Sequence, residues 1–205
     1  MDINPSVCCV IVLFNPDILE LKKTIEKIKK ENIHTICVDN NSSNKSEMYD
    51  LDFNIIFLDN NFGIATAHNV GLKEAINKGF KFSILLDQDS DISEDFFHSM
   101  INSFYCIKSE IDPNIVALSP VHFNKENNQF YKIRLLDLSF ADPFSFDKEL
   151  IKVQYAMSSG TLIDLDLINK NGFMREDYFI DYVDIEWGFR MYSFGFSIYV
   201  DRRIT

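Results

Sequence analysis

Asp87 and Asp89, in the stretch Leu85-Leu86-Asp87-Gln88-Asp89-Ser90, stand two apart at the end of an apolar run. In an extended chain, residues two apart project to one side, so these carboxylates are expected to converge beyond a sheet edge. Two hard oxygen donors suit Mg2+ or Mn2+, which completes its shell with water and substrate phosphates. The plainer alternative is an acidic turn capping the next helix, since Asp91 and Ser93 are also capping residue types. A second acidic cluster lies in Phe179-Ile180-Asp181-Tyr182-Val183-Asp184-Ile185-Glu186-Trp187-Gly188-Phe189-Arg190. Glu186 and Arg190 are four apart, the spacing of a helical ion pair. Asp184 falls at the start of that helix, where it suits either an N-cap or a general base that takes a hydroxyl proton.

Other polar residues cluster just after apolar runs. Asp39 precedes Asn40-Asn41 and suits either acceptance of hydrogen bonds from a nucleobase or ribose, or an Asx-turn. Asn61-Phe62-Gly63 and Asn69-Val70-Gly71 bracket the start of a predicted helix. Gly63 permits a backbone conformation or close approach that other residues resist, and a helix N-terminus attracts phosphate. Gly71 inside a helix costs about 1 kcal/mol relative to alanine, which calls for a packing or ligand reason. Trp187, the only tryptophan, suits stacking on a sugar ring or packing in the core. The four histidines, 34, 68, 98 and 122, form no HxxxH or HExxH pair and are given no catalytic role. Leu13-Phe14-Asn15-Pro16 stands where a dinucleotide fold would carry GxGxxG, and no GxxxxGK loop occurs. Kinase-like NTPases and NAD enzymes are therefore poor fits.

The elements that must hold these residues follow from periodicity. Ser6 to Phe14 reads as a strand covered on both faces. Asn15-Pro16 is expected to cap and open a helix with Ile18, Leu21, Ile25 and Ile28 on its apolar face. Strands are predicted over His34–Asp39, Asn54–Asp59 and Phe82–Leu86, with helices over Ile64–Lys78 and Ser93–Ser109. Further strands are expected at Ile115–Ser119, Val153–Met157 and Phe196–Val200, and a helix over Val183–Phe194. Residues 120 to 150 carry short aromatic-rich stretches without readable order. Alternating strands and helices imply βαβ units and a mostly parallel sheet, whose ligands bind outside the carboxyl ends of the strands.

A chain of 205 residues with 46% hydrophobic content fits one domain with a substantial core. With 20 basic and 31 acidic residues the formal charge is −11, which repels phosphate backbones and argues against nucleic acid. Cys8, Cys9, Cys37 and Cys106 make no CxxC pair, as expected of buried thiols in a reducing compartment. The start lacks a basic signal-peptide region, and Val7–Phe14 is far shorter than the ~20 residues of a membrane span. The cytoplasm is the expected location, with peripheral work at a membrane left open.

Several stretches, in order, resemble the family 2 glycosyltransferases of the GT-A fold, and among these the bacterial rhamnosyltransferases. They are Val12-Leu13-Phe14-Asn15-Pro16-Asp17, Val38-Asp39-Asn40-Asn41-Ser42 and Asn61-Phe62-Gly63-Ile64-Ala65 with Asn69-Val70-Gly71. Leu85-Leu86-Asp87-Gln88-Asp89-Ser90, Ser159-Gly160 and Asp184-Ile185-Glu186-Trp187-Gly188-Phe189-Arg190 follow. The resemblance implies an α/β fold with helices flanking the sheet and a Rossmann-like nucleotide-binding half. One catalytic domain over 1–205 would divide into a nucleotide-sugar half, 1–119, and an acceptor half, 120–205, truncated at its C-terminus.

By the same resemblance Phe14 and Asn15 border the nucleobase and Asp39 binds it. Asn41, Gly63, Asn69 and Gln88 belong to the nucleotide-sugar site, with Asp87 near the ribose or metal. Asp89 is the main metal ligand, Asp184 the catalytic base and Trp187 an acceptor contact. The family usually has Glu-Asp where this chain has Val183-Asp184. The implied reaction is an inverting transfer from a dTDP- or UDP-sugar, dTDP-β-L-rhamnose first, to a glycan or lipid-linked glycan in cell-surface polysaccharide synthesis. Two alternatives are a nucleotide-sugar-binding module without catalysis and a sugar nucleotidyltransferase. The second normally carries a Gly- and basic-rich loop that Phe14-Asn15-Pro16 does not match.

Overall fold

Val7, Cys9, Ile11 and Leu13 face one side of the first strand, β1 (Val7–Leu13), and Cys8 and Val10 the other. All six are fully buried, so this strand needs cover on both faces. The computed structural model, which describes residues 6–125 and 127–205, supplies it as two helical layers around one sheet.

The chain runs from β1 through α1 (Ile18–Lys30), β2 (His34–Asp39), β3 (Asn54–Phe57), α2 (Gly63–Asn77), β4 (Phe82–Asp87) and α3 (Phe96–Cys106) to β5 (Ile115–Pro120). Short strands β6 (Phe123–Asn124), β7 (Gln129–Phe130), β8 (Ile133–Leu135) and β9 (Phe140–Ala141) follow. The rest is β10 (Leu150–Tyr155), β11 (Leu162–Asp164), α4 (Leu165–Asn171), α5 (Val183–Ser193) and β12 (Ser197–Asp201). The described residues form a ten-stranded sheet in the order β3-β2-β1-β4-β11-β5-β12-β10-β8-β9, with β6 and β7 as a separate hairpin. Pairing is parallel from β3 to β4 and mixed beyond, where β11 runs antiparallel between β4 and β5.

Helices α1 and α3 cover one face through Leu21, Ile25, Ile28, Phe97, Met100 and Phe104. The other face packs against α2, α4 and α5 through Leu72, Ala75, Ile168, Trp187 and Met191. Val12 pairs with Asp87, Leu13 with Asp39, and Asp39 with Phe57, so the parallel strands end level at one edge. Between β1 and β4 the strand order reverses, which opens a crevice at that edge.

Several element boundaries differ from the sequence expectation. Asn15-Pro16 does not open α1; Asp17 caps it, its carboxylate accepting from the amides of Leu19 and Glu20. Helix α3 starts at Phe96 behind Asp95, and the predicted caps are used otherwise, Asp91 pairing with Lys27 and Lys125. Its last turn is a π-turn over Ile107–Ile111. Cys8, Cys9 and Cys37 are buried, and burial pushes the Cys8 and Cys37 thiols up to about 12, whereas Cys106 is exposed. Among the described residues no helix is long and apolar enough to cross a membrane.

Candidate active site

Strand β4 delivers Asp87 to the crevice, half-buried, and ends there. Residues Asp87 to Ser90 form a turn closed by the Ser90 amide on the Asp87 carbonyl at 3.1 Å. Asp89 is exposed in that turn, so the turn, and not the two-residue strand period, sets its position beside Asp87. Ser159 closes the other side: its hydroxyl lies 3.2 Å from that of Ser90 and 3.4 Å from the Asp87 amide.

Asp184 enters from the first turn of α5, behind Tyr182 as the N-cap residue, so it is not itself the cap. Its carboxylate accepts from the Ile185 amide at 2.8 Å. Burial raises its proton affinity above the ordinary carboxylate range, against hydrogen bonds from backbone amides that include Ser158. Asp87 is raised too, first by burial and then by the charges of Asp89 and Asp184, while Ser159 opposes the shift. The charges of Asp89 and Asp184 therefore both reach Asp87 at the end of β4. Among the described residues no set of three or more acidic, His or Cys side chains is closed around one point. Two carboxylates are nonetheless enough for a hard cation that takes its other ligands from water and phosphate.

A cavity of about 330 Å³ opens on the β1 side of Asp87, bounded by Val12, Phe14, Asn40, Gly63, Gln88 and Phe179. The loops around it are tied together by side-chain amides. The Phe14 amide donates to Gln88 Oε1 at 2.9 Å and Gln88 Nε2 donates to the Phe14 carbonyl at 3.3 Å, which joins the ends of β1 and β4. Asn15, in a left-handed conformation, accepts from the amide and hydroxyl of Ser43 at 2.8 and 2.9 Å. Asn40 bonds to Asn61 at 2.8 Å and to the Phe62 amide at 2.9 Å, and Asn41 turns the chain with a φ of 65°.

Some predicted ligand contacts are occupied by the protein itself. Asp39 is fully buried, and its carboxylate accepts from the amide and hydroxyl of Ser42, the Asx-type arrangement. Asn69 is also buried. It donates to the Met174 carbonyl at 2.8 Å, accepts from the Met174 amide at 3.0 Å, and donates to Glu176 at 3.0 Å. It clamps a chain segment and presents no free group to the cavity. At the α2 N-terminus expected to attract phosphate, the Gly63 amide donates to Asn61 and the Ala65 amide to the Phe179 carbonyl. A Cβ at Gly63, where φ is +85°, would lie 2.4 Å from that carbonyl. Trp187 is 5% exposed and belongs to the core, so it is no acceptor platform. Glu186 pairs with Arg190 at 2.7 Å, as its spacing predicts.

Ser90, Ser159, Asn40, Asn61 and Phe179 lie in stretches named from the sequence, which gave none of them a site role of its own. The asparagines beside Asp39 and Gly63 were a signal for the loop ties; Ser159 becomes a neighbour of Asp87 only through the antiparallel insertion of β11.

The model described as Glycosyl transferase family 2 matches residues 8–182, a stretch that includes the strands and loops of this crevice. The chain belongs to the family 2 glycosyltransferases. It is 30% identical over 203 residues to the dTDP-rhamnosyl transferase RfbF of Shigella flexneri, covering 96% of this chain and 67% of that protein. The fold of this glycosyltransferase is shared with the crystal structure of GalNAc-T7 with UDP, GalNAc and Mn2+, at a TM-score of 0.71 and 11% identity. That match covers 96% of this chain and 42% of GalNAc-T7. The S. aureus TarS 1-349 structure aligns at 0.62 and 18% identity, covering 95% of this chain and 57% of TarS. The chain thus spans about half the length of these two solved glycosyltransferases.

Proposed function

We propose that this glycosyltransferase moves L-rhamnose from dTDP-rhamnose to a hydroxyl of a glycan or lipid-linked glycan, with inversion at the anomeric carbon. The observation that carries this reading is that Asp87, acted on by the charges of Asp89 and Asp184, ends β4 at the strand-order reversal and lines a cavity sized for a nucleotide. The similarity to the Shigella enzyme supports the donor. Residues 1–119 supply the donor side and 120–205 the acceptor side, except that Phe179 and Ile180 of the second half close the 330 Å³ cavity in which the nucleoside lies against Phe14.

Asp89, exposed, and Asp87, half-buried, would hold Mg2+ or Mn2+, which when bound supplies Lewis-acid stabilisation of the departing diphosphate. Asp184 takes the acceptor proton as the hydroxyl oxygen bonds to the anomeric carbon and the bond from that carbon to the diphosphate oxygen breaks. Burial suits it to this task, because a carboxylate held above its ordinary range is a stronger base. The family match ends at residue 182, so the role of Asp184 rests on its place in the first turn of α5 and on its charge reaching Asp87. Asp39 and Asn69 act by holding the loop and the segment that form the walls.

Calorimetric titration of dTDP, UDP and GDP, in Mn2+ and in EDTA, tests the proposal. The pyrimidine nucleotides are expected to bind more tightly than GDP, only with the cation, and Asp89→Ala should remove the cation dependence. Tighter binding of GDP overturns the donor assignment, and equal affinity in EDTA overturns the metal assignment.

A further inference from the structure

On the other side of Asp87 lies a larger cavity, about 750 Å³, within the size range of ligand sites. Its lining combines the polar Asp87, Asp89, Ser90 and Ser159 with the aromatic Phe123, Phe130 and Tyr131. These rings come from the hairpin of β6 and β7 and the residue after it, in the stretch whose order the sequence does not reveal. Strands of two residues cannot bury rings between layers, and the three remain 42%, 37% and 45% exposed.

They are exposed yet held in place. Phe123 and Phe130 meet edge to face at 5.1 Å, and Phe130 leans on Phe144 at 4.6 Å. The Tyr131 amide donates to the His122 carbonyl at 2.9 Å, and its hydroxyl accepts from Asn124 at 3.0 Å. Three fixed, exposed aromatic rings that line a cavity together with polar side chains do not serve the core, and they suit a ligand with one apolar face and many hydroxyls.

The charge of the lining narrows the ligand further. Among the described lining residues Lys125 is the sole Lys or Arg, and Asp91 pairs with it at 2.5 Å. Burial lowers His122 to about 4, so it is neutral near pH 7. Any cation that Asp87 and Asp89 hold serves the donor diphosphate, so a phosphorylated or carboxylated acceptor meets acids and no free lysine or arginine among the described lining residues. A purely apolar ligand would set those carboxylates against hydrocarbon with no hydrogen bond gained in return.

We infer that this cavity is the saccharide subsite of the acceptor, with Phe123, Phe130 and Tyr131 stacking on the apolar faces of neutral sugar rings and Ser90 and Ser159 binding their hydroxyls. The inference rests on the donor reading above, since it places the acceptor opposite the nucleotide across Asp87. It also moves acceptor stacking from the buried Trp187 to rings within reach of a ligand.

Saturation-transfer NMR with methyl glycosides of rhamnose, glucose, galactose and N-acetylglucosamine tests this on the protein and on Phe123→Ala, Phe130→Ala and Tyr131→Ala. Because these side chains are exposed, the variants should keep the wild-type melting profile and bind dTDP with Mn2+ within twofold of wild type. At least one glycoside should give ring-proton transfer in wild type, falling threefold or more in each variant. No transfer to any glycoside in wild type, or undiminished transfer in the variants, overturns the inference. If dTDP fails to bind while glycoside transfer still depends on the three rings, the donor reading falls and the saccharide subsite stands.

Discussion

Replacing Asn69 by alanine separates a structural clamp from a nucleotide ligand. In the structure one side-chain amide satisfies both backbone groups of Met174, which is 5% exposed, and also reaches Glu176. Alanine leaves a buried N–H and a buried C=O unpaired, at about 1–3 kcal/mol each. Against this, alanine in the middle of α2 regains roughly 0.5 kcal/mol of helix propensity. Water entering beside residues 172–176 relieves part of the penalty, so the expected loss is about 2–4 kcal/mol. For a chain of this size 3 kcal/mol lowers the melting temperature by roughly 6–12 °C. Urea unfolding and thermal melts of the nucleotide-free protein measure it directly. A side chain that waited for nucleotide would behave differently, since its loss would leave the free protein unchanged or slightly more stable. A fall of less than about 2 °C in the free protein would therefore refute the clamp.

Asp184→Asn should leave dTDP affinity nearly unchanged while cutting sugar transfer by on the order of 10²–10⁴-fold, the scale of general-base catalysis, and near-normal turnover would overturn its role. Gly71→Ala should destabilise by about 1 kcal/mol, because the new Cβ would lie 2.4 Å from Val10, and overpacking of about 1–3 kcal/mol exceeds the ~1 kcal/mol gained in helix propensity; a more stable variant would show that α2 can lift off β1. His68 is buried with both ring nitrogens unpaired, and burial pushes it down to about 4 from the usual 6.5. The unfolded chain therefore binds this proton first, and stability is full above about pH 6.5 and falls as pH drops toward 4, by roughly 3 kcal/mol in all. The raised Asp87 and Asp184 act in the opposite sense, so the difference between wild type and His68→Leu in pH-dependent urea unfolding isolates the histidine, and parallel curves would remove it as the cause.

Strands β1, β2 and β4 and helices α1 and α2 were legible because each is a long periodic pattern with a polar loop at its end. The same patterns marked Asp87, Asp89 and the asparagine-rich loops, since polar residues after buried strands must gather at one sheet edge. The direction of β11 was not legible. Leu162–Asp164 is a short apolar run, and only its insertion between β4 and β5 brings Ser159 beside Asp87. Residues 120–150 carry no usable period because two-residue strands satisfy their hydrogen bonds by pairing, not by repetition along the chain. Burial decided the remaining differences. Trp187, Asn69 and Asp39 carry the residue types of a binding site, but tertiary packing places one in the core and commits the others to Met174 and Ser42. A sequence fixes which groups are able to bind a ligand; their hydrogen bonds are allotted only when distant segments pack, because a buried polar group must take its nearest protein partner before any ligand arrives.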